Sequence, residues 1–287
     1  MRVDALAGWK RRPFVRAIGR MVIYAILAIG AIAMVMPFAW MISTSFKEPG
    51  DVFSYPPRWI PSHFALHNYV DAWRAAPFGR YFFNSIFVAA SVTLGQLISC
   101  SLAAYAFARL KFPGKALLFT LFLSTLMIPR QITLVPSFLV LKELNWLDTY
   151  YALIVPFVAS AFGTFMLRQT FMNIPRELED AAKLDGCSRL GFLWRIMLPL
   201  SKPTLASLAL FTFMGNWNSY LWPLIMTNSQ KMRTLQIGLR FLVCQEGGTQ
   251  WGMLMAATVV VSVPIVVFYL FVQRQFVKGI TFTGMRT

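Results

Sequence analysis

Residues 174–203 read IPRELEDAAKLDGCSRLGFLWRIMLPLSKP, a polar stretch set in an otherwise apolar chain. Pro175 suits the first turn of a helix, where its missing N–H costs nothing. Glu177, Glu179 and Asp180 then sit near the positive end of that helix, where acids are favoured. Arg176 with Asp180, and Glu179 with Lys183, are spaced to pair on one helical face. Asp185-Gly186 is a stop, because glycine takes the left-handed conformation that ends helices. Ser188 can cap a second helix, along which Leu190, Leu193, Ile196 and Met197 recur at helical spacing. Pro199 and Pro203 punctuate the entry to the next apolar run. The expectation is a bent pair of amphipathic helices, outside the membrane, between two spanning segments.

Working outward, the composition explains why such a loop stands out. The 287 residues are 57% hydrophobic and only 13% charged, which excludes an ordinary soluble protein. Several apolar runs reach the roughly 20 residues needed to cross a bilayer core. The chain therefore reads as an all-α integral membrane protein with six transmembrane helices. The net charge of +16 would suggest nucleic acid on a soluble domain, but here it collects on alternate connections. Arg2 to Arg20, then Arg109, Lys111 and Lys115, then the polar loop, then Arg274, Lys278 and Arg286 can all lie on one side. The positive-inside tendency makes that side, and both termini, cytoplasmic. Anionic lipid headgroups are the natural partner of this charge.

The expected segments follow. Residues 1–20 are a basic cytoplasmic start, 21–46 a first span and 47–80 an extracytoplasmic segment rich in interface aromatics. Residues 81–276 form a five-helix core, in which the polar loop occupies 174–200, and 277–287 a cytoplasmic tail. Within the core, spans are expected at 82–108, 117–134, 150–171, 204–225 and 253–271. Pro129-Arg130-Gln131 interrupts the third, Pro156 and Gly163 are bends for the fourth, and Pro264 a kink for the last. Ser91, Gly95, Ser99 and Ser101 allow close helix packing. No signal-peptide cleavage is expected after the basic start.

Two groups of polar residues at membrane depth are candidates for a solute pathway. Asn216, Trp217, Asn218, Tyr220 and Trp222 fall in the outer half of the fifth span. Amides exposed to lipid are expensive, so Asn216 and Asn218 bond other helices or face a wet cavity. In a cavity, amides and aromatic faces suit hydroxylated solutes. Arg130 and Gln131 are the second group; Arg130 either snorkels to headgroups or, facing a cavity, favours an anionic solute. Cys100, Cys187 and Cys244 have no CxxC spacing, and His63 and His67 lack a nearby Glu to complete a zinc motif, so no metal site is expected. An integral-membrane enzyme would need converging ionisable groups in the spans, yet the histidines and acids lie in loops. No GxxxxGK[ST] loop is present, so ATP must bind elsewhere.

The pattern Asp180-Ala181-Ala182, Asp185-Gly186 and, after nine intervening residues, Ile196 and Leu198-Pro199 resembles the "EAA" loop of binding-protein-dependent ABC importer permeases. Asp180 stands where the family has Glu, and Cys187 where it has Ala. WNSYLWPL at 217–224 and QRQFVKGIT at 273–281 resemble segments of the carbohydrate-uptake branch, the maltose- and glycerol-phosphate-type group. The resemblance implies the type I ABC importer permease fold, in which the loop is a cytoplasmic coupling helix. It makes Glu179, Asp180, Ala181, Ala182, Asp185, Gly186, Ile196, Leu198 and Pro199 the coupling residues. It further implies a second permease subunit (a heterodimer), two ATPase subunits that carry the ATP and Mg, and an extracytoplasmic solute-binding protein, in the inner membrane. The implied task is import of a di- or oligosaccharide or polyol by alternating access, with glycerol phosphate or another anionic sugar derivative as the alternative. A passive channel has no use for a coupling loop.

Overall fold

The computed structural model describes the backbone of residues 13–243 and 248–283, and the side chains of residues 19–243 and 248–273. Expectations for the start before residue 13, for Cys244 and for side chains of the QRQFVKGIT ending beyond Gln273 lie outside the described residues. The described residues are helical, with no strand among them. Four stretches are long and apolar enough to cross a membrane: Gly19–Ser45, Phe78–Arg109, Tyr150–Met172 and Trp251–Gln273. Two sharply bent helix pairs bring the number to six if each is one span.

The chain forms two compact units, one up to Asp71 together with Gln250–Val259, the other Ala72–Thr249 with everything from Val260. In the first, α1 (Pro13–Ser45) is exposed at every residue from Gly19 to Ala39. Its end is tied down by Asn68, whose amide donates to the carbonyls of Ser45 and Lys47 at 3.0 Å each. Short α2 (Pro49–Val52) follows, then α3 (His67–Arg74), which runs on into the second unit.

The second unit is built around α4 (Phe78–Arg109), the second expected span, extended by a turn at its start. The others are α5 (Lys115–Ser124), α6 (Arg130–Glu143), α7 (Tyr150–Ile154), α8 (Ala161–Met172), α9 (Arg176–Leu184) and α10 (Arg189–Phe192). A π-helical turn, Leu193–Met197, leads into α11 (Leu198–Leu200), α12 (Lys202–Trp217), α13 (Leu221–Met226) and α14 (Leu235–Val243). The last helix, α15 (Trp251–Thr283), is continuous through Pro264. On α4, Cys100, Ala104 and Tyr105 join Leu167, Phe171 and Leu208 in one buried cluster with the polar loop's Ala182, Phe192, Leu193 and Met197. Small residues set the spacing: a Cβ on Gly95 would lie 2.9 Å from Val158, and one on Gly163 2.8 Å from Leu208.

Three of the expected spans are broken. Ile128 is extended, as a residue before proline prefers, and α6, entered through Pro129, runs at 100° to the preceding helical stretch Lys115–Met127. What reads as one interrupted span is therefore two helices, with Arg130 and Gln131 in the first turn of the second. The fourth span breaks after a 3-10 turn, Val155–Phe157, that contains Pro156; Gly163, expected as a bend, is a packing contact inside α8. The fifth breaks between Trp217 and Leu221, so Asn218 and Ser219 lie in the gap.

Freed backbone groups at membrane depth need partners, because hydrocarbon offers none. Side chains of α4 supply them for the fourth span. The Gln96 amide donates to the Phe157 carbonyl at 2.7 Å and its oxygen accepts from Thr212 at 2.8 Å. The Ser99 hydroxyl donates to the Val158 carbonyl, and Cys100 Sγ lies 3.4 Å from the Ser160 carbonyl.

At the far end of α4 from Arg109, buried Asn84 donates to the carbonyls of Lys231 and Arg233 and accepts from the Tyr150 hydroxyl. Asp148 anchors the same loop, accepting from the backbone amides of Asn228 at 2.9 Å and Ser229 at 3.0 Å. Burial pushes the Asp148 carboxyl up, but these hydrogen bonds outweigh it and hold the carboxyl below its ordinary range. A depressed carboxylate stabilises the fold above its unfolded-state pKa and loses that contribution as pH falls through the folded one. Exchange protection of the Asn228 and Ser229 amides, corrected for intrinsic rates, should therefore drop under acid in that window. The drop should be absent in Asp148→Ala, which lacks the protection at every pH.

Candidate functional site

The polar loop is bent as its sequence suggests. In α9, Lys183 Nζ lies 3.2 Å from Glu179 and 3.2 Å from Asp180, so Asp180 pairs with Lys183 rather than with Arg176. Those contacts, Glu179's first, raise the Lys183 pKa. The turn closes with Cys187 N donating to the Ala182 carbonyl and Gly186 N to that of Lys183. Gly186 sits at φ +75°, where a side chain is strained, with open space beside it. Ser188 then caps α10, its hydroxyl accepting from Gly191 N at 3.1 Å.

The expected coupling residues divide by face. Ala182 is buried against the spans, and Ile196 and Leu198 are half-buried there. Asp180, Ala181, Asp185, Gly186 and Pro199 face outward. Glu179 points inward instead: its side chain is 19% exposed and its Oε2 lies 3.6 Å from Arg109, at the end of α4. Four apolar residues that the motif did not single out share the outward face with the acids: Leu178, Leu184, Leu190 and Trp194. Leu184 is 90% exposed; one such residue is ordinary, but apolar residues bared together on one face mark a surface that a partner covers. The clue in the sequence was the pair of leucines flanking the bend.

At the broken helices, a cavity of about 440 Å³ opens between the first turn of α6, the break before α8 and the break before α13. That size suits a small ligand. Arg130, Gln131, Tyr220 and Trp222 line it, as do Thr133, Ser137 and Ser219, three hydroxyls the sequence did not mark. Its aromatic wall is braced. The Arg130 guanidinium lies 5.4 Å over the Phe157 ring, which meets Trp222 edge-on at 5.1 Å. The Trp222 indole N–H donates to the Ala152 carbonyl at 3.0 Å. Donors, hydroxyls, aromatic faces and one cation thus converge on one space.

The other expected pathway residues lie elsewhere. Trp217 is 1% exposed, donates to the Val261 carbonyl and stacks on Phe213, so it is a core residue. Asn216 bonds the Thr212 carbonyl of its own helix and reaches only a narrow crevice beside Ser219 and Trp222. Asn218 faces α14, its oxygen 3.5 Å from the Gln236 amide. The break after Trp217 changes the helical phase, which separates these residues from Tyr220 and Trp222.

Comparison with known proteins bears on most of the chain. Residues 95–282 match the family described as binding-protein-dependent transport system inner membrane component. The chain is 38% identical over 264 residues to the sn-glycerol-3-phosphate transport system permease protein UgpE of Yersinia enterocolitica, covering 90% of this chain and 94% of that one. It is 37% identical over 262 residues to UgpE of Escherichia coli, covering 89% and 92%. Among solved structures, a bacterial ABC transporter that imports the acidic polysaccharide alginate matches with a TM-score of 0.82 at 23% identity, covering 92% of this chain and 98% of that one. The same kind of transporter in complex with its alginate-bound periplasmic protein matches with a TM-score of 0.64 at 17% identity, covering 91% and 96%.

Proposed function

The chain belongs to the binding-protein-dependent transport system inner membrane components, as a permease of an ABC importer for sugar, and from that premise we propose how it works. The bent loop docks on a separate ATPase subunit on the cytoplasmic side, where both termini also lie. A second permease subunit completes the pathway, two ATPase subunits bind ATP and Mg, and an extracytoplasmic binding protein delivers the solute. Closure of the ATPases shifts the loop, which reorients the spans and opens the cavity outward; reset releases solute inside. Such switching needs two packed states close in energy, biased by nucleotide and by the loaded binding protein.

The observation that carries this reading is the division of the loop. One face is embedded in the core of the spans, while the other bares Leu184 and Trp194 beside Asp180 and Asp185. A rigid attachment on one side and an uncovered apolar edge on the other suit a part that receives a push. In a Cys187→Ala background, Leu184→Cys should crosslink to the ATPase subunit and react with membrane-impermeant thiol reagents only from inside. Labelling from outside, or no ATPase adduct, would refute the assignment.

One observation favours a narrower substrate class within the carbohydrates. Arg130 lines the cavity rather than lying apart from it, and a guanidinium is the group best shaped for phosphate or carboxylate. The UgpE relatives are named for sn-glycerol-3-phosphate transport. An anionic sugar derivative, such as a polyol phosphate, fits both.

A further inference from the structure

The ends of α4 and α8 are held together by two arginines that cap each other's helices. Arg109, the last residue of α4, donates through Nη2 to the Phe171 carbonyl at 2.8 Å and the Ile174 carbonyl at 2.5 Å, at and just past the end of α8. Arg168, on α8, donates through Nε to the Phe107 carbonyl at 3.1 Å, near the end of α4, with its guanidinium 4.2 Å from the Phe119 ring. Last-turn carbonyls lack helical partners and carry the negative end of the helix dipole, so each arginine satisfies acceptors and charge together. Crossed in this way, neither helix end can slide past the other without breaking both sets of bonds.

The Arg109 fork has a further prong. Its side chain is only 4% exposed, and Nη1 lies 3.6 Å from Glu179 Oε2 on α9. The third nitrogen, Nε, is buried without a hydrogen-bond partner. A guanidinium this far from water keeps its bonds, because losing one leaves a buried charge uncompensated. Beneath the pair, Ala182 of α9 packs in the same cluster as Tyr105, Phe171 and Ile174.

We infer that Arg109 is a positioning residue that joins the coupling helix to the ends of two spans, so that α9, α4 and α8 move as one body when the loop is pushed. The inference rests on the docking role of the loop and adds the joint through which displacement passes. It also gives Glu179 a role different from that of its neighbour Asp180. Asp180 is available to a partner, while Glu179 holds the loop to its own spans. A lysine at 109 keeps the charge but has no planar fork to reach two carbonyls and a carboxylate. Glutamine at 179 keeps the shape but removes the charge.

The test uses the complete transporter in proteoliposomes with its ATPase and binding-protein partners, reading solute taken up per ATP hydrolysed. Arg109→Lys and Glu179→Gln should each still co-purify with the ATPases, yet lower that ratio by about tenfold, in the range of ordinary coupling energies. The double variant should be no worse than the poorer single one, since residues of one joint are not additive. A merely structural role would lower the yield of assembled complex and leave the ratio unchanged. An unchanged ratio, or losses that multiply in the double variant, overturns the inference. Gly186→Pro in the same assay separates the two ideas. If it uncouples while the Arg109 and Glu179 variants do not, the docking loop stands and the joint fails. If it too transports normally, both fail.

Discussion

Gly186→Pro should sharply reduce coupled uptake while leaving the spans inserted. Gly186 stands at φ +75°, and its amide donates to the Lys183 carbonyl. Proline holds φ near about −65° and has no N–H, so it can neither adopt this turn nor make this bond. The change is confined to an exposed bend, where a Cβ added at the glycine would meet nothing within 4 Å, so core packing is not the cause of failure. What is lost is the angle between α9 and α10, and with it the register of Leu184 against Leu190 and Trp194. Uptake should fall on the order of tenfold or more, while nucleotide hydrolysis by the partner subunits continues without solute. Gly186→Asn, which tolerates the left-handed conformation, should retain most transport. Normal uptake with proline at this position would remove the loop from the mechanism.

Arg130→Gln should separate solutes by charge. Glutamine keeps donors and most of the length but removes the positive charge from the cavity. A hydrogen bond to a charged group is worth about 1.5–3 kcal/mol, so transport of a phosphorylated polyol should weaken about 10- to 100-fold. A neutral polyol or disaccharide, if carried at all, should be little affected. Uptake of matched charged and neutral solutes by the two forms is the measurement. Equal losses for both would mean that Arg130 braces Phe157 rather than meeting solute, and no loss would remove it from the pathway.

The loop was the most legible part of the chain, because its signals are local. A glycine after Asp185, a serine before an apolar repeat and acids in a first turn each act over a few residues. Orientation was not local. In a helix as polar as α9, periodicity could not tell that Glu179 turns in toward Arg109 while Asp180, one residue on, faces out. Arg109 and Arg168 read only as charges, yet both cap neighbouring helices. Pro129 announced an interruption but not its 100° turn, since the direction taken by the next helix depends on what it packs against. Trp217 and Trp222 looked alike in sequence; a three-residue gap between α12 and α13 sends one to the core and the other to the cavity. Gln96 gave no sign of its task, because the carbonyl it serves is sixty-one positions away.

The π-helical turn at Leu193–Met197 holds a surplus backbone unit, one more than a regular helix would spend on the same rise. Deleting a single residue there would let the ordinary ladder close over the same rise, with the flanking turns keeping their phase and Leu193 and Met197 their common buried face. Deleting one from the regular turns of α12 would instead turn everything downstream by about 100° around the axis. Loss of one residue should therefore be borne far better in the π-helical turn than in α12.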